Sequence, residues 1–180
     1  MTFARVRALI VVGVLVVLAV GFVGYALAKD SQRGATIARS CPDGWAIADL
    51  QLRPPEEVKI NVFNATDKPN LANAVASDFS NRKFKVQKKG NDKKAVEGVA
   101  VLRYGPKSVG SAHLLKAYFL NEAEAEYNPA RTDDVVDVVI GDSFKQLATT
   151  TEVNQALVEL ASPELPPESC EAPKVKAAGS

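Results

Sequence analysis

The residue types that do acid–base, nucleophilic or metal chemistry form no recognisable catalytic or metal-binding set in this 180-residue chain. There is one histidine, His113, with no Cys or Ser near it in a triad-like setting. No Walker loop, G-x-G-x-x-G or H-E-x-x-H occurs. Two cysteines, Cys41 and Cys170, with one distant histidine make a poor zinc ligand set. The residues therefore point away from an enzyme, with no catalytic residue, no metal site and no cofactor.

What remains is charge. Arg82, Lys83, Lys85, Lys88, Lys89, Lys93 and Lys94 form a basic group opposed nearby only by Asp92. Such density could attract an anionic polymer, with strong salt dependence. The simpler reading is a solvated edge strand whose lysines prevent pairing with another chain. Glu122, Glu124 and Glu126 alternate with alanines, and Asp133, Asp134 and Asp137 follow. Without EF-hand spacing, these read as a repulsive, edge-protecting stripe rather than a calcium site. A net charge of +1 and a basic group with no interleaved aromatic beyond Phe84 argue against nucleic acid.

The elements that must position these residues start outside the folded part. Residues 1–7 form a short leader containing Arg5 and Arg7, and residues 8–28 carry no charge. That run of about 21 apolar positions spans roughly 30 Å as a helix, which predicts a transmembrane anchor. A cleaved signal peptide is the alternative, since Ala26-Leu27-Ala28 fits an A-x-A site. Either way the rest is exported. Residues 29–57 read as a stalk and a Cys/Trp segment containing Trp45 beside the turn Pro42-Asp43-Gly44. In an oxidising compartment Cys41 and Cys170 read best as a disulfide, with two free buried thiols as the alternative. A Pro-rich tail over 162–180 is expected to be disordered apart from the Cys170 tether.

Between these lies a domain over residues 58–161. Val58, Ile60 and Val62 alternate with polar residues, as in a half-buried strand. Leu71, Val75 and Phe79 predict an amphipathic helix. Strands follow at Phe84–Val86 and Val99–Tyr104, then a helix after Ser108 with Ala112, Leu115 and Phe119 inward. "AEAEY" suits an edge strand, and "VVDVVIG" suits a central strand covered on both faces. A last helix spans 151–161. The order β-α-β-β-α-β-β-α predicts a two-layer α+β domain, and a ferredoxin-like split βαβ fits its first six elements.

Three stretches, "VKINVFNAT…NLANAVASDFSNRKFKV", "VAVLRYGP…SAHLLKAYF" and "DVVDVVIGDSF", resemble the LytR C-terminal domain over roughly residues 58–144. With the anchor, the Cys-Pro-Asp-Gly-Trp segment and the C-terminal cysteine, the whole chain resembles actinobacterial envelope-integrity proteins built on that domain. The resemblance implies a membrane-anchored protein on the cell-wall side that supports envelope integrity without catalysis. It implies partners among envelope or wall-assembly proteins, a second LytR C-terminal-domain protein included, or wall polymer itself. The motif residues Asn64, Thr66, Arg103 and Tyr104 become candidate binding residues. The simpler reading is that Asn64 and Thr66 satisfy backbone groups at the turn and that Tyr104 is a boundary tyrosine. Many family members have Gly before the Leu-Ala of the first helix; here Pro69-Asn70 stands there.

Overall fold

The computed structural model describes Gly13, Val16 and residues 41–171. The anchor expected over 8–28 lies outside the described residues apart from Gly13 and Val16, as do the leader, residues 29–40 and the end of the tail. Among the described residues no helix is long and apolar enough to cross a membrane.

Residues 41–171 hold seven strands and three α-helices. The strands are β1 (Ala46–Ala48), β2 (Lys59–Asn64), β3 (Lys85–Asn91), β4 (Ala100–Tyr104), β5 (Glu124–Tyr127), β6 (Val135–Ile140) and β7 (Ser169–Glu171). The helices are α1 (Leu71–Asn81), α2 (Val109–Tyr118) and α3 (Thr150–Leu160). Five strands form one sheet in the order β3-β2-β6-β4-β5, and β1 and β7 form a separate parallel pair. β2 is parallel to β3 and β6, β4 is antiparallel to β6, and β4 is parallel to β5.

The mixed α+β character is as the sequence implies, but the split βαβ is not. In that arrangement another strand would separate β2 from β3; here they are direct neighbours, as are β4 and β5. β6 accounts for the difference. Val135, Val136, Val138, Val139 and Ile140 are all buried, so this strand takes the one slot with cover on both faces. The exposed strands β3 and β5 go to the edges.

One sheet face packs on the helices. Ile60, Val62, Leu102, Val136, Val138 and Ile140 meet Val75 and Phe79 of α1, Ala112 and Leu115 of α2, and Val153 and Ala156 of α3 in one core. Phe79 contacts Phe84 edge to face at 5.1 Å, adding aromatic packing at its centre. Ser108 stands at the α2 cap position, but its hydroxyl donates back to the Gly105 carbonyl at 3.4 Å. Thr149, by contrast, closes a full capping box with Glu152 at the start of α3.

On the other face only a small apolar patch forms, where Val101, Val139 and Ala65 are covered by Phe63 and Val96. The loop bearing Val96 approaches β6 closely: a Cβ on Gly141 would lie 2.2 Å from the Gly98 carbonyl oxygen. The Pro-rich segment is a further correction. Residues 162–168 are placed as a strap that runs into β7, pairing Ser169, Cys170 and Glu171 with Ala46, Ile47 and Ala48.

Candidate functional site

The Asn64 motif is consumed by its own turn. Asn64 is buried, and its Nδ2 donates to the Lys68 carbonyl at 2.8 Å. Its Oδ1 accepts from the Thr66 backbone N–H at 3.0 Å and the Thr66 hydroxyl at 2.9 Å. Thr66 Oγ1 in turn accepts from Lys68 N–H at 3.0 Å. These bonds satisfy the backbone of a sharp strand-to-helix link. Asn70, at the start of α1, sits at φ 64°, a left-handed conformation that asparagine tolerates.

Arg103 and Tyr104, adjacent in β4, project to opposite faces. On the helix-free face a polar row crosses all five strands, with register neighbours Lys88, Asn61, Asp137, Arg103 and Glu126. Arg103 pairs with Asp92 and, at 2.8 Å, with Glu126. Burial alone would raise the Asp92 carboxyl, but the Lys94 N–H and the Arg103 guanidinium outweigh it and hold it below its ordinary value. Arg131 donates to both carboxylate oxygens of Asp137 at 2.8 and 3.2 Å, and Asn61 donates to Asp137 at 2.7 Å. Lys59 pairs with Asp134 at 2.7 Å. Asp133, Asp134, Asp137 and Glu126 are therefore paired rather than part of a repulsive stripe: Lys59 of β2 meets Asp134, Arg131 meets Asp133 and Asp137, and Arg103 of β4 meets Glu126. Among the described residues no cluster of His, Cys, Asp and Glu could hold a metal ion.

The basic group divides. Arg82 leaves it: its guanidinium bonds Asp78 and the Ala148 carbonyl and lies 5.6 Å from the Tyr118 ring centre. A bulge in β3 makes Ile60 pair with Val86 but Asn61 with Lys88. The extra residue puts Lys85 and Lys88 on the helix-free face and Lys89 on the other. Lys89 borders a depression at the start of α1 with Asn70, Asn73 and Asn91. Lys83, Lys85, Lys88, Lys89, Lys93 and Lys94 make no ion pair among the described residues.

A cleft of about 420 Å³ opens on the helix side, between β4, β5, α2 and the strap. Tyr104 and Tyr127, register partners on β4 and β5, line it with ring centres 5.7 Å apart at 52°. Burial holds both hydroxyls above the ordinary tyrosine pKa. His113 also lines it, and its Nε2–H donates to the Ala161 carbonyl at 3.2 Å. Burial lowers the His113 pKa, opposed by that bond. The strap roofing the cleft ends at the Cys41–Cys170 disulfide, whose Cα atoms are 5.8 Å apart. The sequence offers Tyr104 either as a binding residue or as a boundary tyrosine, and does not single out its partner Tyr127; the Tyr at the end of "AEAEY" was the available signal.

Within this domain, with a helix layer on one face of a mixed sheet, residues 57–144 match the LytR C-terminal domain family, described as LytR cell envelope-related transcriptional attenuator. The chain carries that domain within a disulfide-closed unit. It is similar to the soluble domain of a conserved hypothetical secreted protein from Mycobacterium marinum, with a TM-score of 0.51 and 24% identity, over 64% of this chain and 83% of that one. At that identity the likeness concerns the fold. No curated protein matches the chain.

Proposed function

We propose that this chain is a non-enzymatic, membrane-anchored cell-envelope integrity protein. Its LytR C-terminal domain docks envelope or wall-assembly proteins, or wall polymer, outside the membrane, with residues 8–28 as the anchor. The observation carrying this reading is the envelope-related family match at 57–144. The Cys41–Cys170 bridge supports an oxidising, extracytoplasmic setting. In-cell crosslinking with affinity recovery tests it. Crosslinks to envelope-assembly proteins or wall glycan are expected; only uncrosslinked monomer from intact cells would contradict it.

A second reading, direct binding of peptidoglycan or an anionic glycopolymer, is favoured by the unpaired lysines of β3 and the following loop. Lys88→Glu with Lys89→Glu should then abolish co-sedimentation with purified wall at low salt. Unchanged sedimentation would remove this version.

A further inference from the structure

The cleft beneath the strap has two kinds of wall. Leu102, Val109 and Ala112 give an apolar floor, while His113, Lys116, Ser162 and Glu164 supply polar groups. Its volume of about 420 Å³ falls within the range of about 300–1,000 Å³ typical of small-ligand sites. The two tyrosine rings are tilted at 52°, so they offer two faces at an angle rather than one closed stack. Pro163, Pro166 and Pro167 restrict the roof's backbone, and α3 and the β7 disulfide hold its two ends. The roof is thereby pre-organised, which lowers the ordering cost of binding.

These walls narrow the ligand class. An acyl chain needs a continuous apolar channel, and desolvating the polar groups here without partners would oppose it. A compact anion needs unopposed positive charge, whereas Lys116 and Glu164 act on His113 with opposite sign. A neutral pyranose meets both walls at once. Its C–H face packs on an aromatic ring, and its hydroxyl edge needs donors and acceptors alongside.

We propose that this cleft binds a neutral sugar ring of a glycan, stacked on Tyr104 and Tyr127 and hydrogen-bonded by His113, Lys116, Ser162 and Glu164. The proposal rests on the polymer-binding reading but moves the contact from the lysine edge to the opposite side of the domain.

The intact chain in detergent micelles is titrated with a soluble tetramer of β-1,4-linked N-acetylglucosamine. Calorimetry and the ring-proton NMR signals of His113, the sole histidine, follow binding. A saturable His113 shift is expected. Tyr127→Leu should weaken binding roughly tenfold or more, while Tyr127→Phe, which keeps the ring, stays close to wild type. Lys88→Glu with Lys89→Glu should leave the titration unchanged. An unmoved His113 at millimolar tetramer, or equal binding by Tyr127→Leu, overturns the proposal. If intact wall still sediments the protein while His113 is silent, polymer docking stands and the cleft does not; loss of both ends both.

Discussion

Arg131 and Asp137 form a two-pronged ion pair across the helix-free face, with Nη1–Oδ2 at 2.8 Å and Nη2–Oδ1 at 3.2 Å. The same guanidinium donates to the Arg103 carbonyl at 3.1 Å, so one side chain joins β6 to β4. Both partners are about four-fifths buried, with side chains 17% and 21% exposed.

Removing Arg131 would therefore strand a carboxylate in the middle of the sheet. Arg131→Ala should cost about 2–4 kcal/mol in chemical denaturation, since breaking a buried pair leaves its partner uncompensated. Lys59→Ala, which breaks the exposed Asp134 pair, should cost under about 1 kcal/mol. Equal losses would show that the polar row contributes as a diffuse surface.

Backbone packing gives a second contrast. At Gly141 a Cβ would meet the Gly98 carbonyl at 2.2 Å and the Val96 side chain at 2.7 Å. At Gly90 it would meet only Phe63, at 3.6 Å. Gly141→Ala should destabilise by about 2–3 kcal/mol through overpacking. Gly90→Ala should be neutral or slightly stabilising, by up to about 1 kcal/mol. Thermal unfolding of both variants checks the ordering.

Much of this frame was legible beforehand. The β-branched run 135–140 announced a central strand, and the i, i+4 stripe Leu71, Val75, Phe79 announced α1. Strand adjacency was not legible, because periodicity reports which face is buried and not which neighbour is chosen. β1 and β7 escaped because three-residue strands carry no period. The β3 bulge escaped because an extra Gln87 looks like any alternating residue. Arg82 read as one of a basic group until Asp78, Tyr118 and the distant Ala148 carbonyl surrounded it.

The disulfide closes a loop between residues 129 apart in sequence. By chain entropy that contributes up to about 4–5 kcal/mol. Cys41→Ser with Cys170→Ser should lower the unfolding midpoint and make the 162–168 strap the first site of limited proteolysis. Non-reducing mass spectrometry of exported protein should show the two cysteines joined; alkylation of both without reduction would contradict the bridge.

His113 sets the behaviour near neutral pH. Burial, opposed by the Ala161 carbonyl, lowers its folded pKa below the ordinary 6.5. The unfolded chain then binds more protons as pH falls from about 6.5. Stability is full above that value and declines as pH drops toward the lower folded value. Asp92 and Asp134, also lowered, contribute only further into acid. His113→Gln should flatten the loss between pH 7 and 5 in urea titrations; an unchanged slope would assign it to other groups.

The central claim is that the domain sustains the cell envelope. It is tested most directly by dye uptake and detergent sensitivity in a strain lacking the gene. Raised permeability and sensitivity, restored by the full chain but not by a version lacking residues 57–144, are predicted. A deletion strain with a normal barrier would contradict the account.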